Sequence, residues 1–292
     1  MITPSIEIIR PFDGRRITTA LFDFDGTLSR ERDGWINLMV ATNAAAMAAA
    51  LPNVPVSEIF SWAINDIEQT IGIPTYQQMK RLADAIRNRG GISLSPGRYK
   101  EVYNFVLQAM VKTAHWQVET EQRSTEELRV PGAIELLTAM ADKLGHGALF
   151  LASGTDIEPV IESSRFLGYA PFFENRIIAS GFNGHYEDCP KRQIIDQLIR
   201  ERRLGPGELL TFGDGVPEIE YTAQSGGISV GVLTRDESHY EFLGHFTHTN
   251  KRQRLIQAGA HVLVSNFCET EQLMELLFSD QTLFSSAKNE LN

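Results

Sequence analysis

Residues 17–25, ITTALFDFD, form an apolar, β-prone run that closes on two carboxylates, Asp23 and Asp25. Similar short runs follow at 147–154 (GALFLASG), 176–180 (RIIAS), 208–215 (ELLTFGDG), 228–233 (ISVGVL) and 261–266 (HVLVSN). Each ends in a polar or glycine-rich turn, the pattern of a strand followed by a connection. Helical patterns lie between most of them, at 133–144, 191–204 and 269–278. In the second, Ile194, Ile195, Leu198 and Ile199 fall on one helical face, opposite the charged residues. Strands that are apolar almost throughout cannot turn a face to water. Alternating with amphipathic helices, they predict an α/β fold, a Rossmann-like and mostly parallel sheet with helices on both faces.

One stretch interrupts this alternation. Between residues 34 and 129 there is little strand signal and helix formers dominate. The alanine-rich segment 37–51 ends at Pro52, residues 76–91 stop at Gly90-Gly91, and 99–119 is a long mixed helix candidate. The chain therefore divides into an α/β core of residues 1–33 and 130–292 and an inserted helical domain of residues 34–129. Trp35, Trp62 and Trp116 are expected to pack within that insertion.

The charge balance narrows the partners. With 27 Lys+Arg against 37 Asp+Glu, the net charge is -10, which gives no reason to expect nucleic acid or an anionic membrane as a partner. Cys189 and Cys268 form neither a ligand cluster nor a disulfide framework and suit a reducing compartment. No apolar run reaches the roughly 18 to 20 residues needed to span a bilayer, and the N-terminus does not read as a signal peptide. A cytoplasmic protein is the expectation. The seven histidines are scattered, and His239, His245 and His248 read as surface residues of a polar loop.

Strand ends in an open α/β sheet converge on one crevice. Here they carry Asp23 and Asp25 in DFDGT, Ser153 in LASGT and Asp214 in FGDG, while Lys191 opens a helix after the turn-like GFNGHYEDCP. Carboxylates, a hydroxyl and an ammonium in one crevice suit a metal and a phosphate.

In this order, DFDGT, a strand-terminal serine, a helix-opening lysine and GDGVPE resemble the four motifs of the haloacid dehalogenase superfamily. The resemblance covers residues 17 to about 233, and it makes the helical insertion a cap. It implies Mg²⁺ as cofactor, held by Asp23, the carbonyl of Asp25 and Asp214, all hard oxygen donors. Glu218 stands where that family usually has a second aspartate, and is a direct or water-mediated ligand candidate. The resemblance makes Asp23 the nucleophile that takes the phosphoryl group and Asp25 the acid and base. Ser153, Gly154 and Lys191 would hold the transferring oxygens, and Thr27 would orient Asp25. The charged segment 28–33 adds Arg30 and Arg32 as candidates for contacting substrate anions.

The implied activity is hydrolysis of a small phosphorylated metabolite through an aspartyl-phosphate. A phosphomutase acting on a sugar phosphate would use the same residues. A silent binding protein that keeps the fold is the alternative outside enzymology. Dehalogenation is disfavoured, because it needs no acid–base aspartate for a leaving alcohol.

Overall fold

The computed structural model describes residues 5–71, 73–180, 191–234 and 248–282. Cys189, His239, His245 and the turn at 181–190 lie outside these, as does the side chain of His248. Seven strands form one sheet: β1 (Ile6–Ile8), β2 (Thr19–Asp23), β3 (Leu149–Asp156), β4 (Ile177–Ser180), β5 (Leu209–Gly213), β6 (Ile228–Val232) and β7 (Val262–Val264). Their order is β1-β7-β6-β5-β2-β3-β4. All pairs are parallel except β1 with β7. The sequence reading contained six of the seven. β1 was missed because Glu7 breaks its apolar run, and it is an antiparallel edge strand with no crossover of its own.

Side chains along each strand alternate between two cores. Ala20 and Phe22 of β2 join Leu210 and Phe212 of β5 on one face. That face is covered by α5 (Ala133–Leu144) through Leu136 and Leu137, and by α11 (Thr270–Leu277) through Leu273 and Leu277. Leu21 points the other way, to Ile194, Ile195 and Leu198 of α8 (Lys191–Arg202). Both faces are thus covered, and this accounts for the unbroken apolarity of β2. β2 also lies where the strand order reverses, with β5 on one side and β3 on the other. Such a reversal opens a crevice at the carboxyl ends of the strands.

Among the described residues, four helices are inserted between β2 and α5: α1 (Trp35–Ala50), α2 (Val56–Thr70), α3 (Thr75–Asn88) and α4 (Pro96–Glu119). They bury their own cluster, including Met39, Met47, Ile59, Ile67, Leu82 and Tyr103. α4 begins with Pro96 as its first residue, and Ser95 Oγ accepts a hydrogen bond from Arg98 N at 3.4 Å. The chain enters and leaves the insertion side by side: Arg30 N donates to Leu128 O and Val130 N to Leu28 O, at 2.8 and 2.9 Å. Trp35 and Trp62 pack against the cluster, whereas Trp116, expected inside, is 53% exposed. The chain continues through α6 (Ile157–Phe166) and α7 (Ala170–Phe173) after β3, α9 (Val216–Gln224) after β5, and α10 (His248–Ala258) before β7. Among the described residues no helix is long and apolar enough to cross a membrane.

Candidate active site

The carboxyl ends of β2, β3 and β5 face the insertion across a cavity of about 590 Å³. Asp23, the last residue of β2, is buried at its floor. Oxygens of Asp23, Asp214 and Glu218 lie within 4.8 Å of one another. Lys191, at the start of α8, puts Nζ 2.8 Å from Asp23 Oδ1 and 2.9 Å from Glu218 Oε2. Lys251 of α10 lies 2.9 Å from Asp214 Oδ2. Three carboxylates therefore meet two ammonium groups.

Burial raises the Asp23 carboxyl well above the ordinary range; Lys191 opposes this, and Glu218 and Asp214 add to it. For Lys191, burial works against the ammonium, but the Asp23 and Glu218 carboxylates outweigh it and hold the proton firmly. The site carries more negative charge than its own cations neutralise.

Backbone geometry keeps this cluster tight. Gly26 has φ +74°, and a Cβ added there would stand 2.3 Å from Asp214 Oδ2. Only glycine lets the turn after β2 pass so close to the β5 carboxylate. At Gly213 an added Cβ would stand 2.2 Å from Glu218 Cγ. That space lets Glu218 fold back in the first turn of α9, where Oε1 accepts from Gly215 N at 2.8 Å.

The oxygen donor set fits a hard divalent cation. Three carboxylates spread over 4.8 Å approach the spacing of ligands that each sit at about 2.1 Å from one magnesium ion. The ion pairs run through Asp23 Oδ1 and Asp214 Oδ2, and each carboxylate has a second oxygen to offer. Glu218 Oε1 accepts from Gly215 N, while Oε2 is buried beside Lys191 without a hydrogen-bond partner among the described residues, so Glu218 stays a candidate ligand with Asp23 and Asp214.

Asp25 is held apart from the cluster. Arg32 Nη1 lies 2.9 Å from Asp25 Oδ1, and Thr155 Oγ1 donates to Asp25 Oδ2 at 2.8 Å. Among the described residues Thr27 gives Asp25 no hydrogen bond: its hydroxyl is buried without a partner there. The replacement comes from a β-bulge. β3 does not stop at Ser153; its pairing with β4 shifts between Ser153 and Asp156, and this carries Thr155 to Asp25. Ser153 is buried and its Oγ accepts from Thr155 N at 3.1 Å, while Gly154 lines the cavity. Arg30 instead pairs with Asp33 at 2.8 Å and is not among the cavity-lining residues. Arg32 lines the cavity, and its side chain is committed to Asp25 and to Ser163.

The insertion closes the other side. Lys100, Asn104, Leu107, Val111 and His115 form one stripe of α4 along the cavity. Lys100 Nζ and Asn104 Nδ2 reach the two oxygens of Asp156 at 2.9 and 3.0 Å. His115 Nε2 meets Glu31 Oε1, and its ring stacks on Phe166 with centroids 3.6 Å apart. None of Lys100, Asn104, Asp156, His115, Glu31, Thr155 or Lys251 was singled out from the sequence. Thr155 had the nearest signal, a second hydroxyl two residues beyond Ser153.

A parallel sheet with its crevice at the β2 switch and a buried strand-end carboxylate in an acidic cluster fits a hydrolase of the haloacid dehalogenase type. The haloacid dehalogenase-like hydrolase model matches residues 17–226, and the chain belongs to this family. It is similar to a haloacid dehalogenase family hydrolase from Deinococcus radiodurans solved with bound phosphate and sodium, at 15% identity and a TM-score of 0.53, over 91% of this chain and 98% of that one. A β-phosphoglucomutase from Clostridium difficile has 14% identity and a TM-score of 0.54 over 90% and 97% of the two chains. A hydrolase from Pseudomonas syringae has 18% identity and a TM-score of 0.54 over 89% and 98%. At these identities the likeness is one of fold. No curated protein matches the chain.

Proposed function

We propose that the protein is a Mg²⁺-dependent phosphatase that hydrolyses a small phosphomonoester through an aspartyl-phosphate on Asp23. The observation that carries this reading is the separation of two strand-end carboxylates. Asp23 lies among Asp214, Glu218 and Lys191, whereas Asp25 is turned away to Arg32 and Thr155. This separation supports a division of work in which Asp23 bonds phosphorus and Asp25 moves protons.

In the first step an Asp23 oxygen attacks phosphorus and the bond from phosphorus to the ester oxygen breaks. Asp25 gives its proton to that oxygen, which leaves as the alcohol. In the second step Asp25 takes a proton from water as the water oxygen attacks phosphorus. The bond to Asp23 breaks, inorganic phosphate leaves, and both carboxyl groups return to their starting states. Lys191 and Ser153 bind the phosphoryl oxygens. Magnesium, held by Asp23 and Asp214 with the Asp25 carbonyl and Glu218 beside them, would supply the positive charge that lets one anion approach another. The four inserted helices act as the cap, with Asp156 as the contact for Lys100 and Asn104 and Glu31 for His115. Closure over the crevice would keep bulk water from the first step.

Phosphate release from a panel of phosphomonoesters, with Mg²⁺ and with EDTA, tests the reading. Metal-dependent turnover that disappears in Asp23→Asn supports it. Metal-independent turnover, or turnover that survives in Asp23→Asn, overturns it.

A further inference from the structure

Six basic side chains line the cavity: Arg32, Lys100, Lys112, Lys191, Lys251 and Arg254. Four are each within 2.9 Å of a carboxylate, on Asp25, Asp156, Asp23 and Asp214 respectively for Arg32, Lys100, Lys191 and Lys251. Lys112 is exposed at the rim. Arg254 is different. It is half-buried on α10, one turn beyond Lys251, and its Nε is buried without a hydrogen-bond partner among the described residues. Burial pulls its pKa down, opposed by the charges of Asp214 and Glu68, neither of which reaches it as an ion pair.

Arg254 lines the cavity with no ion-pair partner among the described residues, so an anionic group entering there would supply its counter-charge. The guanidinium fork suits a carboxylate or a phosphate, which it can bind through two parallel hydrogen bonds. Arg254 also lies within electrostatic reach of Asp214 on the catalytic side and of Glu68 on α2 of the insertion. A ligand whose phosphoryl group rests at Asp23 can extend toward it without leaving the cavity that both line.

We propose that Arg254 binds a second anionic group of the substrate, so that the substrate is a phosphomonoester whose alcohol part carries a carboxylate or a further phosphate. This rests on the phosphatase reading and names its substrate class. Among the described residues Arg254 has no side-chain partner that its removal would strand, so Arg254→Met is expected to fold normally.

The test measures binding and needs no turnover. Alkyl phosphonates of two to four carbons, with and without a terminal carboxylate or second phosphonate, are titrated by calorimetry into the wild type and Arg254→Met with magnesium present. The expected result is that at least one two-anion ligand binds the wild type 10-fold or more tightly than its neutral match. Arg254→Met should remove that preference and leave the neutral ligand's affinity within twofold. Equal affinities in the wild type would overturn the proposal, as would an Arg254→Met variant that weakens both ligands alike. Failure of the phosphatase reading has a separate signature, namely no metal-dependent phosphate release whatever the binding pattern.

Discussion

Thr155 Oγ1 donates to Asp25 Oδ2 at 2.8 Å, so the hydroxyl that holds this carboxylate, the proposed acid and base, comes from the bulge of β3. A hydrogen bond to a charged group contributes about 1.5–3 kcal/mol. Thr155→Val should lower kcat roughly 10- to 100-fold on an alkyl phosphate, and much less on an aryl phosphate whose leaving group needs no proton. Thr27→Val removes a hydroxyl that has no hydrogen-bond partner among the described residues and should leave kcat unchanged. Steady-state kinetics on the two ester classes checks both statements.

Gly26 and Gly213 give way to the site's carboxylates. A methyl group at Gly26 would strike Asp214, and one at Gly213 would strike Glu218, at 2.3 and 2.2 Å. The left-handed φ of Gly26 adds strain of order 1–3 kcal/mol. Gly26→Ala is expected to lower the urea midpoint and cut activity at least 100-fold. Gly213→Ala should displace Glu218, and with it Lys191, so phosphate affinity should fall more than the melting temperature does.

Glu31 is fully buried and meets His115 from the insertion, next to the Arg32 that holds Asp25. Removing the imidazole leaves a buried carboxylate short of a partner. His115→Leu should destabilise the fold by about 1.5–3 kcal/mol. Combining it with Glu31→Gln should cost less than the sum of the two single changes, because the residues share one interaction. Denaturant unfolding of the four proteins in the cycle measures this.

Burial, with Arg10 nearby, pushes the His261 imidazole down from 6.5 to about 4, where Nδ1 accepts from Ser229 N at 3.2 Å. The unfolded chain binds this proton more tightly than the folded one. The contribution is therefore complete above pH 6.5 and is lost as pH falls from 6.5 toward 4, at about 1.4 kcal/mol per pH unit. His261→Asn keeps an acceptor but cannot titrate. Its unfolding free energy should lack that slope, and an unchanged slope would refute the assignment.

The sheet was legible because burial on both faces imposes a composition that short windows reveal: Leu21 and Phe22 point to opposite cores and both must be apolar. Asp23, Asp214 and Lys191 were legible because each sits just past a strand end or at a helix start, where local signals mark the position. Thr155 was hidden by a bulge, a register event that has no residue signature here. Lys251 and Arg254 stand in a polar, basic helix, and only the packing of α10 against α9, with Leu255 beside Ile219 and Leu263, turns them inward. Glu31 and His115 are 84 residues apart and meet across the neck of the insertion. Arg30 and Arg32 looked alike in sequence, yet one pairs with Asp33 and the other with Asp25.

An acid-quenched single turnover with magnesium decides whether the phosphoryl group is transferred to Asp23. Peptide mass spectrometry should find one phosphoryl group on the peptide carrying Asp23, appearing before free phosphate and absent from Asp23→Asn, which should also release none. Phosphate released with no adduct on that peptide, at a rate that Asp23→Asn retains, would contradict it.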